Sequence, residues 1–342
     1  MKSRLKPVLW IAAVFIGVVL IIPALFVLPF SSGPPLVEVD SVKSDHPVQE
    51  VKKPQVKHSD VIVPVFRTDK EEITSIPLEE YVAGVVASEM PVNFELEALK
   101  AQALTARTYI VNRLSKKGTG DGAVPAGAIV TDTVKHQVFK SEEELKEHWG
   151  SDYEKNMSKI IEAVNETSGK ILTYEGKPIN ASFFSTSNGY TENSEEYWDN
   201  AYPYLKSVKS PWDKESPKYK ESSKLSVFEV ERMLGVKLGR DGEIGKIKKR
   251  TAGNKIAIYQ IGKKTFTGRE MREKLKLRSS DFSLKKKGKI VLIATKGYGH
   301  GVGMSQYGAN GMAAEGKTYE EIVKHYYRNI AITDYNPTTA AK

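Results

Sequence analysis

The chain has 342 residues, of which 40 % are hydrophobic and 27 % charged. That balance excludes a wholly disordered or wholly membrane-embedded chain, and the length allows one large or two closely packed domains plus non-globular segments. The sequence contains no cysteine, so disulfides, thiolate zinc sites and cysteine nucleophiles are excluded and any chemistry must run on carboxylate, hydroxyl, histidine or lysine. A formal charge of +9 asks for an anionic partner: nucleic acid, a lipid surface or an acidic wall polymer.

Residues 8–30 read VLWIAAVFIGVVLIIPALFVLPF, an uncharged run longer than the roughly 20 residues a bilayer-spanning helix needs. Lys2, Arg4 and Lys6 precede it, and the preference for positive charge on the cytoplasmic side predicts residues 1–7 inside and everything after residue 30 outside. A cleaved secretory signal is the other reading. The apolar core is long for one, LPFSSG offers no A-x-A site, and either reading exports the globular part. Export argues against nucleic acid as the partner.

Residues 31–59, rich in Pro, Lys, Val, Ser and Asp, read as a flexible tether. The folded region is expected over 60–336, with 337–342 a tail. Within it, helical and strand patterns alternate irregularly, which predicts an α+β fold of mixed helices and antiparallel strands with a substrate cleft, outside the membrane. Pro77 suits the first turn of a helix running to Met90, with Glu79 and Glu80 as first-turn charges and Pro91 as its stop. Asn93 is the expected cap of a second, alanine-rich helix, FELEALKAQALTARTYIVNRL, and the two make a helical hairpin.

Four further helices are predicted by a hydroxyl three residues before a glutamate: Ser141 with Glu144, Ser226 with Glu229, Thr267 with Glu270, and Thr318 with Glu321. Hairpins are expected in KILTY-EG-KPINASFF around Glu175 and Gly176, and in KIAIYQI-GKK-TFT around Gly262. KIVLIAT reads as a buried strand. Residues 215–290 form a basic subregion, densest in Lys and Arg over 246–289, either a solvated face or a surface for anionic polymer or a partner. There is no internal repeat.

In the first helix, Leu78, Val82, Val85 and Glu89 fall on one stripe, so Glu89 sits where the pattern asks for an apolar residue. A desolvated carboxylate has its charged form disfavoured and holds a proton near neutral pH, as a general acid must. The bland alternative is a Glu near the helix end that forms an ion pair with Arg107 of the next helix or simply reaches water.

FFSTSNGYTENSEEYW at 183–198 offers Ser185, Thr186, Ser187, Asn188 and Gly189, then Tyr190, Tyr197 and Trp198. Hydroxyls and amides beside aromatic faces suit a saccharide groove; an Asn-Gly turn held by local bonds is the alternative. The glycine-dense KGYGHGVGMSQYGANGMAAEG at 296–316 fits neither GxGxxG nor a Walker loop, which removes a phosphate cradle. His300, Ser305, Gln306 and Tyr307 are its polar groups, with His300 catalytic or structural. No GxSxG supports a serine hydrolase, and no HExxH supports a metallohydrolase.

LEEYVAGVVASEMP with ALKAQALTARTY, FFSTSNGYTENSEEYW, FTGREMREKLKLRSSDF, and GYGHGVGMSQYGANGMA with YEEIVKHYY together resemble, in order, the stage II sporulation protein D family. The resemblance implies a lytic transglycosylase that cuts peptide-free peptidoglycan strands between N-acetylmuramic acid and N-acetylglucosamine and leaves 1,6-anhydro ends. Glu89 matches the family's ASEMP glutamate and is the expected catalytic acid and base. One carboxylate suffices because the sugar's 6-hydroxyl replaces the second group of ordinary glycosidases. Arg107, Ser185, Ser187, Asn188, Gly189, Tyr202, Lys206, His300, Ser305, Gln306 and Tyr307 are the candidates for holding glycan.

Some relatives bind zinc through Cys and His; here His136 and His148 stand in that region without cysteine, so no metal or other cofactor is expected. The resemblance also implies work at the septum and engulfing membrane of a sporulating cell. The expected partners are the amidase/endopeptidase stage II sporulation protein P and the membrane protein stage II sporulation protein M. Related domains resemble amidase enhancers, which leaves a non-catalytic, glycan-gripping activator as the rival.

Overall fold

A computed structural model describes residues 54–118 and 124–335. They form an α+β arrangement around two hydrophobic cores. The expected anchor at 8–30 and the tail lie outside the described residues. So does the tether up to residue 53. Among the described residues no helix is long and apolar enough to cross a membrane.

The larger core starts with a hairpin, β1 (Ile62–Arg67) and β2 (Glu72–Pro77), extended by β3 (Val130–Thr131) parallel to β1. Helix α1 (Leu78–Glu89) follows at once, with Pro77 as its cap residue. Leu78, Val82 and Val85 are buried as the stripe requires, and so are Tyr81, Ala83, Val86 and Ala87. A helix apolar nearly all round belongs inside a protein.

Met90 leaves in extended conformation before Pro91, and α2 (Leu96–Ser115) begins later than expected. Asn93 does not cap it. The cap residue is Glu95, whose N–H donates to Asn310 Oδ1 at 2.8 Å, so a tertiary contact replaces the local one. Ala98, Ala101, Ala103 and Ala106 are buried on α2 and allow the close helix approach expected of them.

Around this pair pack α3 (Glu142–Trp149), α4 (Tyr153–Glu166), α7 (Gln306–Ala314) and α8 (Tyr319–Tyr326). They are joined by a sheet ordered β15 (Ala331–Asp334), β4 (Lys170–Tyr174), β5 (Lys177–Pro178). The hairpin at Glu175 and Gly176 forms, but its second limb is only β5. Further on, β6 (Phe183–Phe184) instead pairs in parallel with β14 (Met304–Ser305).

The smaller core lies within the basic subregion. One sheet runs β7 (Lys220–Ser226), β13 (Ile290–Lys296), β12 (Phe282–Lys287), β8 (Gly242–Glu243). A second runs β11 (Lys264–Thr267), β10 (Ile256–Ile261), β9 (Lys246–Arg250). Helices α5 (Val227–Leu234) and α6 (Gly268–Leu275) complete this region. The hairpin at Gly262 forms as read.

KIVLIAT, expected to be buried throughout, alternates instead. Val291, Ile293 and Thr295 point inward while Ile290, Leu292, Ala294 and Lys296 are exposed, the pattern of an antiparallel sheet with one solvated face. All four hydroxyl–glutamate spacings make reciprocal capping boxes, on α3, α5, α6 and α8.

Candidate active site

Glu89 is the last residue of α1, and its half-buried carboxylate faces the segment after β3. Val138 N–H donates to Glu89 Oε1 at 2.7 Å. Gly84, one turn earlier, lets that segment come so close, because a Cβ there would strike the Phe139 ring and the Lys140 carbonyl. Burial raises the Glu89 carboxyl to about 7 against the downward pull of the Val138 bond. The group is therefore divided between acid and carboxylate near neutral pH, poised to give a proton and take one back.

Three glutamine side chains belong to the elements around Glu89. Gln306 Nε2 donates to the Glu89 backbone carbonyl at 3.0 Å and reaches Gln102 Oε1 at 3.5 Å. Gln137, beside Val138, accepts from Tyr81 Oη at 3.0 Å. The amide nitrogens of Gln102 and Gln137 are buried and meet no acceptor among the described residues. Gln102 and Gln137 carry no sequence signal that would have nominated them.

Arg107 does not meet Glu89. It is fully buried and grips Glu79, with Nε at 3.0 and 3.1 Å from its two carboxylate oxygens and Nη2 at 2.6 Å. Nη1 donates to the Thr167 carbonyl at 2.9 Å. The expectation that Arg107 holds glycan is corrected: its donors are spent inside the protein, locking α1 and α2 to the end of α4. Glu79 is likewise a buried partner and not merely a first-turn charge.

The segments 185–189 and 300–307 do come together, and the device is a buried carboxylate that the sequence reading overlooked. Asp213 accepts from Ser187 N–H and Oγ, both at 2.8 Å, and from Ser210 Oγ and Ser305 Oγ, both at 2.5 Å. Ser187 and Ser305 are therefore corrected from glycan contacts to loop fasteners, because both are fully buried with their hydroxyls committed. Ser185 stays half-buried while its carbonyl accepts from Tyr307 N–H at 3.1 Å. Tyr307 packs edge-on against Phe94, 4.9 Å between centroids, and Lys218 lies over its ring.

The remaining candidates point elsewhere. Asn188 is buried and donates to the Gly253 carbonyl and Asp281, toward the smaller core. Gly189 has φ +109°, a conformation that a side chain rarely tolerates. Tyr202 stacks on Tyr204, and Lys206 pairs with Glu195 at 2.6 Å. His300 is surrounded by Phe184, Tyr197 and Trp198, and desolvation pushes its imidazole down to about 3, so it is neutral.

Among the described residues no group of three His, Cys, Asp or Glu could hold a metal ion. His136 instead turns Nδ1 to the Thr131 N–H at 3.1 Å.

Gln306 links the segment fastened by Asp213 to the Glu89 carbonyl, and comparison with known proteins gives the class of the domain as a sporulation protein. The family model described as Stage II sporulation protein matches residues 67–174, which include Glu89, Gln102 and Gln137. The chain is 51 % identical to Stage II sporulation protein D of Bacillus amyloliquefaciens, covering 96 % of both chains. It is 50 % identical to that of Bacillus subtilis strain 168, covering 94 % of both. It is also 31 % identical to a B. subtilis protein named Amidase enhancer, over 74 % of this chain and 40 % of that one. The chain belongs to the stage II sporulation protein D family.

Proposed function

We propose that this chain is a lytic transglycosylase of peptidoglycan that cuts peptide-free strands between N-acetylmuramic acid and N-acetylglucosamine. The observation that carries the reading is Glu89, a carboxyl that burial raises to about 7 and that Val138 N–H anchors. Glu89 protonates the glycosidic oxygen as the bond breaks. The resulting carboxylate takes the proton of the sugar's own 6-hydroxyl as that oxygen closes on the anomeric carbon, giving a 1,6-anhydro end. Gln306, whose amide donates to the Glu89 backbone carbonyl, and the half-buried Ser185 and Tyr307, joined through the Tyr307 N–H to Ser185 carbonyl bond, are the groups this reading assigns to holding the strand.

The enzyme works outside the cytoplasmic membrane, held by the run at 8–30, in septal wall remodelling and engulfment. An amidase such as stage II sporulation protein P removes stem peptides first, and stage II sporulation protein M holds the pair at the membrane. Mass spectrometry of peptide-free strands incubated with the detergent-solubilised full chain tests the chemistry. Anhydro-ended fragments are expected from the parent chain and none from Glu89→Gln. Reducing ends instead of anhydro ends make it a hydrolase.

A second reading rests on the relative named Amidase enhancer: the chain grips glycan and stimulates an amidase without cutting. Stimulation of the partner by Glu89→Gln, with no fragments from either chain, supports that reading.

A further inference from the structure

A cavity of about 240 Å³ opens between the 189–198 segment, the β9–β10 hairpin, the start of α6 and His300. Two opposite charges line it, both nearly fully buried. Lys255 is 3 % exposed and its ammonium donates to the His300 carbonyl at 3.1 Å; Glu192 is 2 % exposed and accepts from Thr251 Oγ1 at 2.9 Å. Glycine makes room for each. A Cβ at Gly301 would collide with the Lys255 ammonium, and one at Gly253 would collide with the Glu192 carboxylate.

A buried Lys and Glu serving stability alone would close on each other, because leaving either charge unpaired is costly. Here they do not. Glu192 Oε2 meets no hydrogen-bond donor among the described residues. Burial raises the Glu192 carboxyl, with Glu196 beside it adding to the rise, and burial lowers Lys255. Glu196 uses its own oxygens to accept from Ala252 N–H at 2.9 and 3.0 Å. Lys249 and Arg269 stand exposed at the cavity's border; Arg269 lies over the Tyr197 ring at 5.1 Å, with Nε on Glu273 at 2.8 Å and Nη1 on the Tyr197 carbonyl at 3.0 Å, which leaves Nη2 for a ligand.

The lining therefore offers carboxyl acceptors on one side, cations on another and an aromatic ring with a neutral imidazole between. Hydroxyls fit the first, a carboxylate fits the second, and the carbon face of a sugar ring fits the third. The cavity lies below the roughly 300–1,000 Å³ of pockets for drug-sized ligands, which suits one ring and not an oligomer.

We propose that this cavity binds one acidic sugar unit, a hydroxylated ring bearing a carboxylate, at a site separate from Glu89. The choice of a wall sugar as that unit rests on the glycan reading above. His300 is followed by β14 and then by Gln306 at the start of α7, so six residues of chain join this cavity to the side chain that donates to the Glu89 carbonyl.

The test is calorimetric titration of the full chain, and of Glu89→Gln, with N-acetylmuramic acid, N-acetylglucosamine and alanine as probes. Trp198, 5.1 Å from His300 between ring centroids, gives a fluorescence readout local to the cavity. N-acetylmuramic acid is expected to bind both chains alike and about tenfold more tightly than the uncharged sugar, the scale of a charge-assisted bond. Arg269→Gln should weaken it about tenfold and the exposed Lys249→Gln about threefold, with the fluorescence change lost in Trp198→Phe.

Equal affinity for both sugars, tighter binding of alanine, or a response indifferent to Arg269→Gln and Lys249→Gln overturns the proposal. Loss of binding in Glu89→Gln alone relocates the ligand to the Glu89 site and also overturns it. If Glu89→Gln binds but no chain yields anhydro ends, the cleavage reading fails while this site stands.

Discussion

The larger core buries charge at its centre, in the Arg107–Glu79 clasp and the serine-ringed Asp213. The smaller core is apolar where it is deepest, at Met271, Leu284 and Val291, with Lys246, Lys248 and Lys249 exposed on β9. The difference follows from what each must hold. A hydrophobic cluster tolerates any close packing of about the right volume, whereas a buried polar group accepts only the arrangement that satisfies its bonds. The larger core therefore pins α1 to α2, and the 185–189 segment to Ser305, in one geometry. The smaller one is held by apolar packing, with the cavity of Lys255 and Glu192 at its border.

The sharpest break in this comparison is Arg107→Ala. Removing one partner of a buried pair leaves the other unsatisfied, so a loss of about 3–5 kcal/mol is expected in urea denaturation. Arg107→Met combined with Glu79→Leu should recover most of it, because the stranded charge goes too. A well-folded Arg107→Ala chain lacking only activity would return Arg107 to the substrate.

Leu284→Ala in the smaller core comes next, at about 2–4 kcal/mol from a lost side chain and the cavity behind it. The comparison predicts where the damage appears. Hydrogen exchange should rise across β12 and β13 while α1 and α2 keep their protection. A uniform rise would mean the two cores fold as one.

The frame of this contrast was legible in the sequence, and its centre was not. Helix α1, the apolar stripe that brings in Glu89, four capping boxes and two turns follow from local spacing, which acts within a few residues and can be read there. Arg107 was misread because a buried arginine and a substrate-facing one look alike until the partner is known. Glu79 lies a full helix away in the chain. Ser187 and Ser305 were nominated for their hydroxyls, but the residue that claims those hydroxyls, Asp213, carries no motif. KIVLIAT was read as buried because Leu292 and Ile290 are apolar, although they lie on the solvated face of β13.

Glu89 itself gives a smaller effect whose sign is diagnostic. Its carboxyl titrates at about 7 in the fold and at 4.5 in the reference state, so between those values the folded state binds more protons than the unfolded one. Stability contributed by the protonated form is present below pH 4.5 and is lost as pH rises toward 7. Glu89→Gln keeps an acceptor for Val138 N–H and removes that cost. It should be about 1–2 kcal/mol more stable than the parent at pH 8 and about equal at pH 4, while losing activity. A variant no more stable at pH 8 would mean that the carboxylate is well solvated.

The smallest effect belongs to β9, the edge of its sheet, where Lys246 and Lys248 are fully exposed. An edge strand presents unpaired backbone groups to any other strand, and lysines on it keep a second chain away by repulsion and by the cost of burying their charge. Exposed lysines without partners contribute little to folding, so Lys246→Thr with Lys248→Thr should change stability by less than about 0.5 kcal/mol. The difference should appear in sedimentation, as concentration-dependent association of the variant under conditions where the parent sediments as a single species. If the variant sediments like the parent but loses salt-sensitive binding to an anionic wall polymer, those lysines serve a partner and not the edge. The smaller region would then share in function with the larger instead of only supporting it.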